Sequence, residues 1–241
     1  MILKKTWIKI CGTTSLEDAL AAAEAGADAL GFVFAPSPRR ISPRNAGKII
    51  ARLPSGVEKI GVFLNQSAEL VLETVNNAGL TGVQLHGDED LGFARRLRDK
   101  SGPARLRVIK AVSLHEIGEA KGKALAIAGQ EDVGKVFGAL LLDSGGNGKR
   151  GGSGLTFEWQ EAAPMARLLS KRLPVIIAGG LTPDNVAKAL RTFEPWGVDV
   201  VSGVEQAAGK KDGQKLRAFI AAVRQFHGEA AEPQDKAETR K

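Results

Sequence analysis

The chain has 241 residues, of which 43% are hydrophobic and 25% are charged. This composition is that of a globular protein and excludes disordered and collagen-like classes. A single cysteine excludes a scaffold held together by disulfides. The formal net charge is +7, but lysines and arginines are spread along the chain and only 5% of the residues are aromatic, which favours a small anionic ligand over nucleic acid. The amino-terminal residues lack the apolar stretch of a signal peptide and no apolar run could span a membrane, so we expect a cytoplasmic protein.

Short apolar segments alternate with amphipathic stretches along the chain, which predicts buried parallel strands separated by helices. Strands are expected at residues 7–11, 29–34, 59–64, 82–85, 107–111, 138–143, 175–178 and 198–201. Helices are expected at 16–25, 43–52, 68–77, 88–100, 114–123, 158–170, 183–191 and 212–226. Repeating units of about 25 to 30 residues are typical of a single (β/α)8 barrel, which we expect over residues 1–227, followed by a charged, disordered tail at 228–241.

Residues that favour helix ends flank several of these segments. Ser15 and Thr182 are expected to be N-caps, the second with Pro183 at the first helical position. Gly26 and Gly79 lie where helix C-caps are expected.

In such a barrel the reactive groups lie at the carboxyl ends of the strands, where the first and sixth segments carry ionisable side chains. Lys9 and Cys11 share one strand face, which we expect to be the interior. The thiol could act as a base, with the nearby ammonium favouring the thiolate, or could be a small buried apolar group. Asp143 could be a general acid whose pKa is raised by partial burial, or could anchor a loop.

Glycine-rich turns follow the seventh and eighth segments, the two loops in which barrels often bind phosphate. The first contains Gly179 and Gly180, and the second contains Ser202 and Gly203. Glycine lets backbone N–H groups approach an oxyanion closely. A lone Gly-Gly pair indicates a turn, but two such turns in these loops predict a phosphate site.

Two other strand-end segments carry candidate ligand contacts. Arg39 and Arg40 lie on a proline-stiffened loop, where an arginine could clamp a carboxylate or belong to a solvated turn. His86 points towards the expected site, as a ligand contact or as a hydrogen-bonding neighbour. Together with His115 and His227 it lacks metal-ligand spacing.

A glycine-rich segment after the sixth strand superficially matches a nucleotide-binding pattern. Residues 146–151 spell G-x-G-x-x-G, but they run into further glycines at 152–154 and do not open a predicted helix. The acidic residue that would bind a ribose is also missing from its expected place. We interpret this segment as an active-site lid.

These motifs occur in the order found in the phosphoribosylanthranilate isomerase family of tryptophan biosynthesis, which the sequence resembles over roughly residues 7–220. The matching segments are KICG at 9–12, GADALGF at 26–32, SPR at 37–39, GVF at 61–63, VQLHG at 83–87, LD at 142–143, GGSG at 151–154 with FEW at 157–159, AGGL at 178–181 and VDVVSGVE at 198–205. Compared with this family, residues 121–136 look like a surface extension.

The resemblance implies a (β/α)8 barrel that catalyses an Amadori rearrangement without a metal or organic cofactor. N-(5-phosphoribosyl)anthranilate would be converted to 1-(2-carboxyphenylamino)-1-deoxyribulose 5-phosphate. Asp143 would protonate the ribose ring oxygen, and Cys11 would take the proton from C2. Arg39 matches the position that holds the anthranilate carboxylate, with Arg40 as the alternative.

The remaining site residues and partners follow from the same resemblance. Lys9 and His86 are expected to contribute to substrate binding, and the two glycine loops match the phosphate site. The partner is a small anionic substrate, with no nucleic acid or membrane, and the protein is expected to be a monomer or a homodimer.

Two other functions fit parts of the pattern. The related sugar isomerase of histidine biosynthesis uses a two-aspartate site, whereas Cys11 stands at the first position here, and duplicated halves are not evident. A non-catalytic sugar-phosphate-binding barrel would keep the glycine loops and Arg39 without needing both Cys11 and Asp143.

Overall fold

Eight parallel strands form a closed barrel in the computed structural model, which describes residues 5–102, 106–114, 117–143 and 155–229. Each strand is hydrogen-bonded to the next, and the eighth closes the barrel on the first. The strands are β1 (Trp7–Ile10), β2 (Ala29–Val33), β3 (Glu58–Phe63), β4 (Gly82–Leu85), β5 (Arg107–Ser113), β6 (Ala139–Asp143), β7 (Val175–Ala178) and β8 (Gly197–Val200). The expected barrel is therefore confirmed, with strand ends shifted by no more than two residues.

Helices connect successive strands around the outside of the barrel. They are α1 (Leu16–Glu24), α2 (Pro43–Ile50), α3 (Ala68–Ala78), α4 (Leu91–Lys100), α5 (Ile117–Ala128), α6 (Val133–Val136), α7 (Leu155–Ser170), α8 (Val186–Phe193) and α9 (Gly213–Glu229). Because α9 continues to Glu229, most of the expected tail, residues 230–241, lies outside the described residues, as does the expected lid at 146–154.

Successive side chains along a strand point to opposite faces and therefore belong to two different apolar layers. On β5, Val108 and Val112 belong to the layer between strands and helices, whereas Ile109 and Ala111 belong to the cluster inside the barrel. Both faces of each strand are thus covered, which explains the continuous apolar segments in the sequence.

The amino-terminal end of the barrel is filled by large side chains. Trp7 stacks on Trp196 with ring centroids 5.1 Å apart. Beside them, Glu58 accepts hydrogen bonds from Arg107 Nε at 2.6 Å and from Trp7 Nε1 at 3.1 Å. The polar strand-end residues predicted from the sequence lie at the opposite, carboxyl-terminal end.

Three of the expected helix ends agree with the structure. Ser15 caps α1, because its hydroxyl accepts a hydrogen bond from the backbone N–H of Asp18 at 3.1 Å. Gly79 caps α3 in the left-handed conformation, with φ of 73°. Gly26 has φ of 98° and follows the last residues of α1.

The expected start of α8 is wrong. This helix begins at Val186 rather than at Pro183. The backbone N–H of Thr182 donates to Asn185 Oδ1 at 2.8 Å, and Asn185 Nδ2 donates to the carbonyl of Gly180 at 2.9 Å. The Asn185 side chain therefore stabilises a turn that competes with an earlier helix start.

The interpretation of residues 121–136 as a surface extension is also wrong. These residues form most of α5 and all of α6, which together connect β5 to β6. Ala124, Ala128, Val133 and Val136 are buried in the layer between strands and helices. Their small or β-branched side chains pack as part of the barrel's outer layer.

A small antiparallel hairpin follows the barrel and was not predicted. After β8, a short 3-10 helix at Ser202–Val204 leads into β9 (Glu205–Ala207), which pairs with β10 (Lys210–Lys211). The hairpin brings Glu205 and Lys211 back over the end of β1, where both side chains are buried.

Candidate active site

A cavity of about 330 Å³ opens at the carboxyl ends of the barrel strands. Its lining brings together five residues predicted from the sequence: Arg39, Asp143, Gly179, Gly180 and Ser202. Asp199, which the sequence analysis did not select, also borders it. A larger cavity of about 600 Å³ lies at the amino-terminal end beside Trp196, and it contains none of the predicted site residues.

Lys9 and Asp199 form a buried ion pair inside the barrel. They occupy paired positions on adjacent strands β1 and β8, and Lys9 Nζ lies 2.9 Å from Asp199 Oδ1. The Lys9 side chain is fully buried. Burial alone would lower the pKa of Lys9, but the charges of Asp199 and Cys11 and the hydrogen bonds to them together outweigh burial, and the net pKa is raised. Lys9 therefore stays charged without contact with solvent.

Cys11 lies one residue beyond β1 and is only 5% exposed. Burial raises the pKa of its thiol, and the charge of Asp199 acts in the same direction. The charges of Lys9 and Lys211 oppose this shift but do not reverse it. Lys9 by itself lowers the pKa of the thiol, as expected from the sequence. The net pKa of the thiol is nevertheless raised, so the expectation that the site favours the thiolate is wrong.

Asp143 ends β6 and has a side chain that is 27% exposed. His86 lies across the site from it, with His86 Nε2 3.7 Å from Asp143 Oδ2. Gln84 Nε2 lies 3.1 Å from His86 Nδ1 and fixes the ring from behind. Burial lowers the pKa of His86, and although the charge of Asp143 opposes this shift, the net pKa stays below its ordinary value, so the ring is neutral at neutral pH.

Arg39 extends across Gly12 towards the cavity. A Cβ at Gly12, which has φ of +75°, would lie 2.6 Å from Arg39 Cδ, so only glycine leaves room for this arginine. The guanidinium donates from Nε and Nη2 to Glu205, at 2.9 and 2.6 Å. Arg40 is exposed and borders a separate groove beside Phe34. Of the two arginines, Arg39 is the one that borders the site.

The two glycine turns lie together at one side of the cavity. Gly179 and Gly180 have φ of +86° and +63°, a conformation that favours glycine. Gly203 lies directly against the backbone carbonyl of Leu181, where a Cβ would overlap that oxygen. The close approach of these loops makes a concave surface suited to an oxyanion.

Sequence reasoning missed three ionisable residues of this region: Asp199, Glu205 and Lys211. Asp199 left a signal, because a lone aspartate inside the apolar β8 is costly unless it is paired. Glu205 and Lys211 left none, because their hairpin strands are too short to show an apolar pattern.

Within the described ranges, no group of three or more histidine, cysteine, aspartate or glutamate side chains could hold a metal ion. Independence from a cofactor stays a prediction. Among the same residues, no helix combines the length and the apolar character that crossing a bilayer requires.

Comparison with known proteins gives one consistent family. Residues 8–222 match the family model described as N-(5′-phosphoribosyl)anthranilate (PRA) isomerase. An N-(5′-phosphoribosyl)anthranilate isomerase from Pelobacter propionicus is 42% identical over 224 residues, which cover 92% of this chain and 98% of the relative.

Solved structures agree in fold and coverage. The crystal structure of phosphoribosyl anthranilate isomerase from Thermotoga maritima has a TM-score of 0.78 and 38% identity, covering 91% of this chain and 99% of that one. A second crystal structure of such an isomerase, in complex with reduced 1-(o-carboxyphenylamino)-1-deoxyribulose 5-phosphate, has a TM-score of 0.76 and 36% identity, with the same coverage.

Proposed function

The chain belongs to the N-(5′-phosphoribosyl)anthranilate isomerase family of tryptophan biosynthesis, and on this premise we propose how its own residues divide the reaction. The reaction moves hydrogen within one substrate: the ribose carbon C1 is reduced while C2 is oxidised. It therefore needs a proton donor for ring opening and a proton acceptor at C2, and no external redox partner. The observation that carries the assignment is that Asp143, at the end of β6, and Cys11, directly after β1, both lie at the carboxyl-terminal mouth of one closed barrel.

Asp143 is the general acid in the first step. It donates a proton to the ribose ring oxygen, the bond between C1 and that oxygen breaks, and the nitrogen lone pair forms a protonated Schiff base. Its carboxyl group borders the cavity and keeps some exposure. His86 lies beside it as a neutral ring, so it can contact the substrate without fixing an imidazolium charge next to the acid.

Cys11 is the general base in the second step. Its thiolate takes the proton from C2, and the electrons of that C–H bond form a double bond to C1 while the nitrogen becomes neutral. The raised pKa of the thiol makes its thiolate a stronger base than an ordinary one. The positive Schiff base formed in the first step favours ionisation of the thiol, whose own proton is released to solvent before the thiolate takes the proton from C2.

The substrate's two anionic ends are assigned to different groups at the barrel mouth. Arg39 holds the anthranilate carboxylate, and its position at the cavity supports it over Arg40. Gly179, Gly180, Ser202 and Gly203 hold the phosphate through backbone N–H groups. Lys9 contributes positive charge beneath the reacting carbons, balanced by Asp199.

We further propose that the protein works in the cytoplasm, as a monomer or a homodimer, on this small anionic substrate and without nucleic acid. Residues 1–227 form the catalytic barrel in this proposal, and residues 228–241 form a tail without a catalytic role. The presence of both an acid, Asp143, and a base, Cys11, at the same end of the barrel favours an enzyme over a sugar-phosphate-binding barrel that performs no chemistry.

A fluorescence assay tests the assignment. Phosphoribosylanthranilate is generated in situ, the protein is added, and loss of the anthranilate emission is followed. We expect Asp143→Asn and Cys11→Ala each to lose about 10²- to 10⁴-fold in kcat, the usual contribution of a general acid or base. Both variants should still bind the reduced product analogue. Near-wild-type kcat in either variant contradicts the role of that residue, and binding without turnover in the wild type supports the non-catalytic barrel.

A further inference from the structure

Glu205 accepts hydrogen bonds from four donor groups at the barrel mouth, yet the reaction proposed above gives it no role. It is the first residue of β9, and its side chain is only 4% exposed. Arg39 Nε and Nη2, Lys211 Nζ and the backbone N–H of Gly209 all donate to its two oxygens. A buried carboxylate with two cationic partners is a fixed structural anion.

The contacts of Glu205 determine which edge of Arg39 can meet a ligand. A guanidinium has five N–H groups in one plane. Glu205 occupies the edge formed by Nε and Nη2, at distances of 2.9 and 2.6 Å. The remaining N–H groups, on Nη1 and the outer side of Nη2, form a second edge that can bind a carboxylate bidentately. The pair therefore leaves Arg39 able to bind while removing its freedom to rotate.

Gly12 provides a second, independent constraint on the same side chain. The Arg39 stem passes so close to Gly12 that any Cβ there would lie 2.6 Å from Arg39 Cδ. Because Gly12 directly follows Cys11, the stem is held beside the residue assigned as the base. Gly12 confines the aliphatic part of the Arg39 side chain, and Glu205 confines its guanidinium. The side chain is therefore left with one orientation.

Lys211 connects this arrangement to Cys11. Its buried Nζ donates to Glu205 Oε1 at 3.1 Å and to the backbone carbonyl of Cys11 at 2.5 Å. Burial acts to raise the pKa of Glu205, but hydrogen bonds from Arg39 and the charge of Lys211 outweigh it and hold the pKa below its usual value. The carboxylate thus stays ionised, and one set of buried contacts runs from Arg39 to the backbone of Cys11.

We propose that Glu205, held by Lys211, is a positioning residue that orients Arg39 and thereby sets the enzyme's preference for a substrate bearing an aromatic carboxylate. The proposal rests on the function assigned above, in which Arg39 binds that carboxylate. Glu205 touches neither the substrate nor the reacting atoms in this role. The hairpin β9–β10, which follows the phosphate-binding loop, then determines substrate specificity because it carries Glu205 and Lys211.

Two stable ligands separate this role from a general structural one. The first is reduced 1-(o-carboxyphenylamino)-1-deoxyribulose 5-phosphate, and the second is the same compound without the ring carboxylate. Their ratio of dissociation constants measures recognition of the carboxylate alone, because the phosphate and sugar are shared. For wild-type protein we expect the carboxylated ligand to bind about 10- to 100-fold more tightly, as a charge-assisted pair predicts.

Glu205→Gln is expected to reduce this ratio by about 3- to 10-fold, because a neutral amide no longer fixes the guanidinium. Affinity for the ligand without the carboxylate should change less than about 2-fold. In an Arg39→Ala background, Glu205→Gln should leave the ratio unchanged. The matched control is Glu58→Gln, which alters a carboxylate paired with Arg107 at the opposite end of the barrel and should leave the ratio at its wild-type value.

The outcomes distinguish the inference from the function on which it rests. Wild-type protein that binds both ligands equally overturns the carboxylate site at Arg39 and this inference with it. Wild-type discrimination that Glu205→Gln preserves overturns the role of Glu205 alone, as does an equal loss of affinity for both ligands. If Glu205→Gln does not fold, Glu205→Asp replaces it. This variant keeps the charge but withdraws it from Arg39 by one methylene, and it should reduce the same ratio of dissociation constants.

Discussion

The ammonium of Lys9 and the carboxylate of Asp199 lie 2.9 Å apart inside the barrel, directly below the thiol of Cys11. The two charges act on that thiol in opposite directions, Lys9 lowering its pKa and Asp199 raising it. Together with burial they leave the thiol protonated in the free protein. Cys11, the base of the proposed reaction, is thus a neutral thiol until the cationic intermediate is present.

Substitutions of the ion pair should shift the thiol pKa with opposite signs. Asp199→Asn removes an anion and should lower the pKa of Cys11, whereas Lys9→Met removes a cation and should raise it. Cys11 is the chain's single cysteine, so ultraviolet thiolate absorbance against pH reports it without ambiguity. Circular dichroism checks that both variants are folded. Shifts of the same sign in both variants contradict this account of the site.

Replacing Arg39 should weaken ligand binding while replacing its neighbour should not. For Arg39→Ala we expect a loss of about 1.5 to 3 kcal/mol in binding the carboxylated product analogue, the value of a charge-assisted hydrogen-bonded pair. Arg40→Ala is the matched control, because Arg40 is exposed and borders a different groove. Calorimetric titration of both variants measures the difference. A larger loss in Arg40→Ala would move the carboxylate contact to that residue.

The barrel could be predicted from sequence because its strands are continuous apolar runs covered on both faces. Cys11, Asp143 and the glycine loops were predictable for the same reason, since strand order alone places strand ends together. The Arg39–Glu205–Lys211 contacts could not be predicted. They depend on a hairpin of two short strands and on pairs more than 160 positions apart in the chain, such as Arg39 with Glu205. The early start expected for α8 failed because one side chain, Asn185, stabilises a competing turn.

The close contact of Gly203 with the Leu181 carbonyl makes the phosphate loops sensitive to one methyl group. Gly203→Ala would place a Cβ against that backbone oxygen, so one loop must move. We expect about a 10-fold or greater loss of affinity for the product analogue, because the two loops bind the phosphate together. Gly56→Ala is the control, since a Cβ there meets no atom within 4 Å. Equal affinities in the two variants would show that the loops do not bind the phosphate jointly.

The free energy of unfolding should depend strongly on Glu89, a buried carboxylate at the barrel mouth that is separate from Glu205. Its oxygens accept hydrogen bonds from the backbone N–H groups of Asn65 and Gly87, at 2.7 and 2.9 Å. They also lie 3.2 Å from the ammonium of Lys110, which is 2% exposed. Glu89 therefore joins the loops after β3 and β4 to β5, immediately beside His86.

Glu89→Gln leaves the Lys110 ammonium buried without its charged partner, so we expect the free energy of unfolding to fall by about 3 kcal/mol. Adding Lys110→Met removes the unpaired charge and should recover part of that loss, because the two residues are in contact. Lys100→Met serves as the control: it breaks an exposed ion pair with Glu69 at 3.7 Å, a type of pair that contributes less than about 1 kcal/mol. Urea unfolding of five proteins measures these differences: the wild type, Glu89→Gln, Lys110→Met, the double variant and Lys100→Met. If the double variant loses as much as the sum of its single substitutions, Glu89 and Lys110 do not stabilise the loops as a pair.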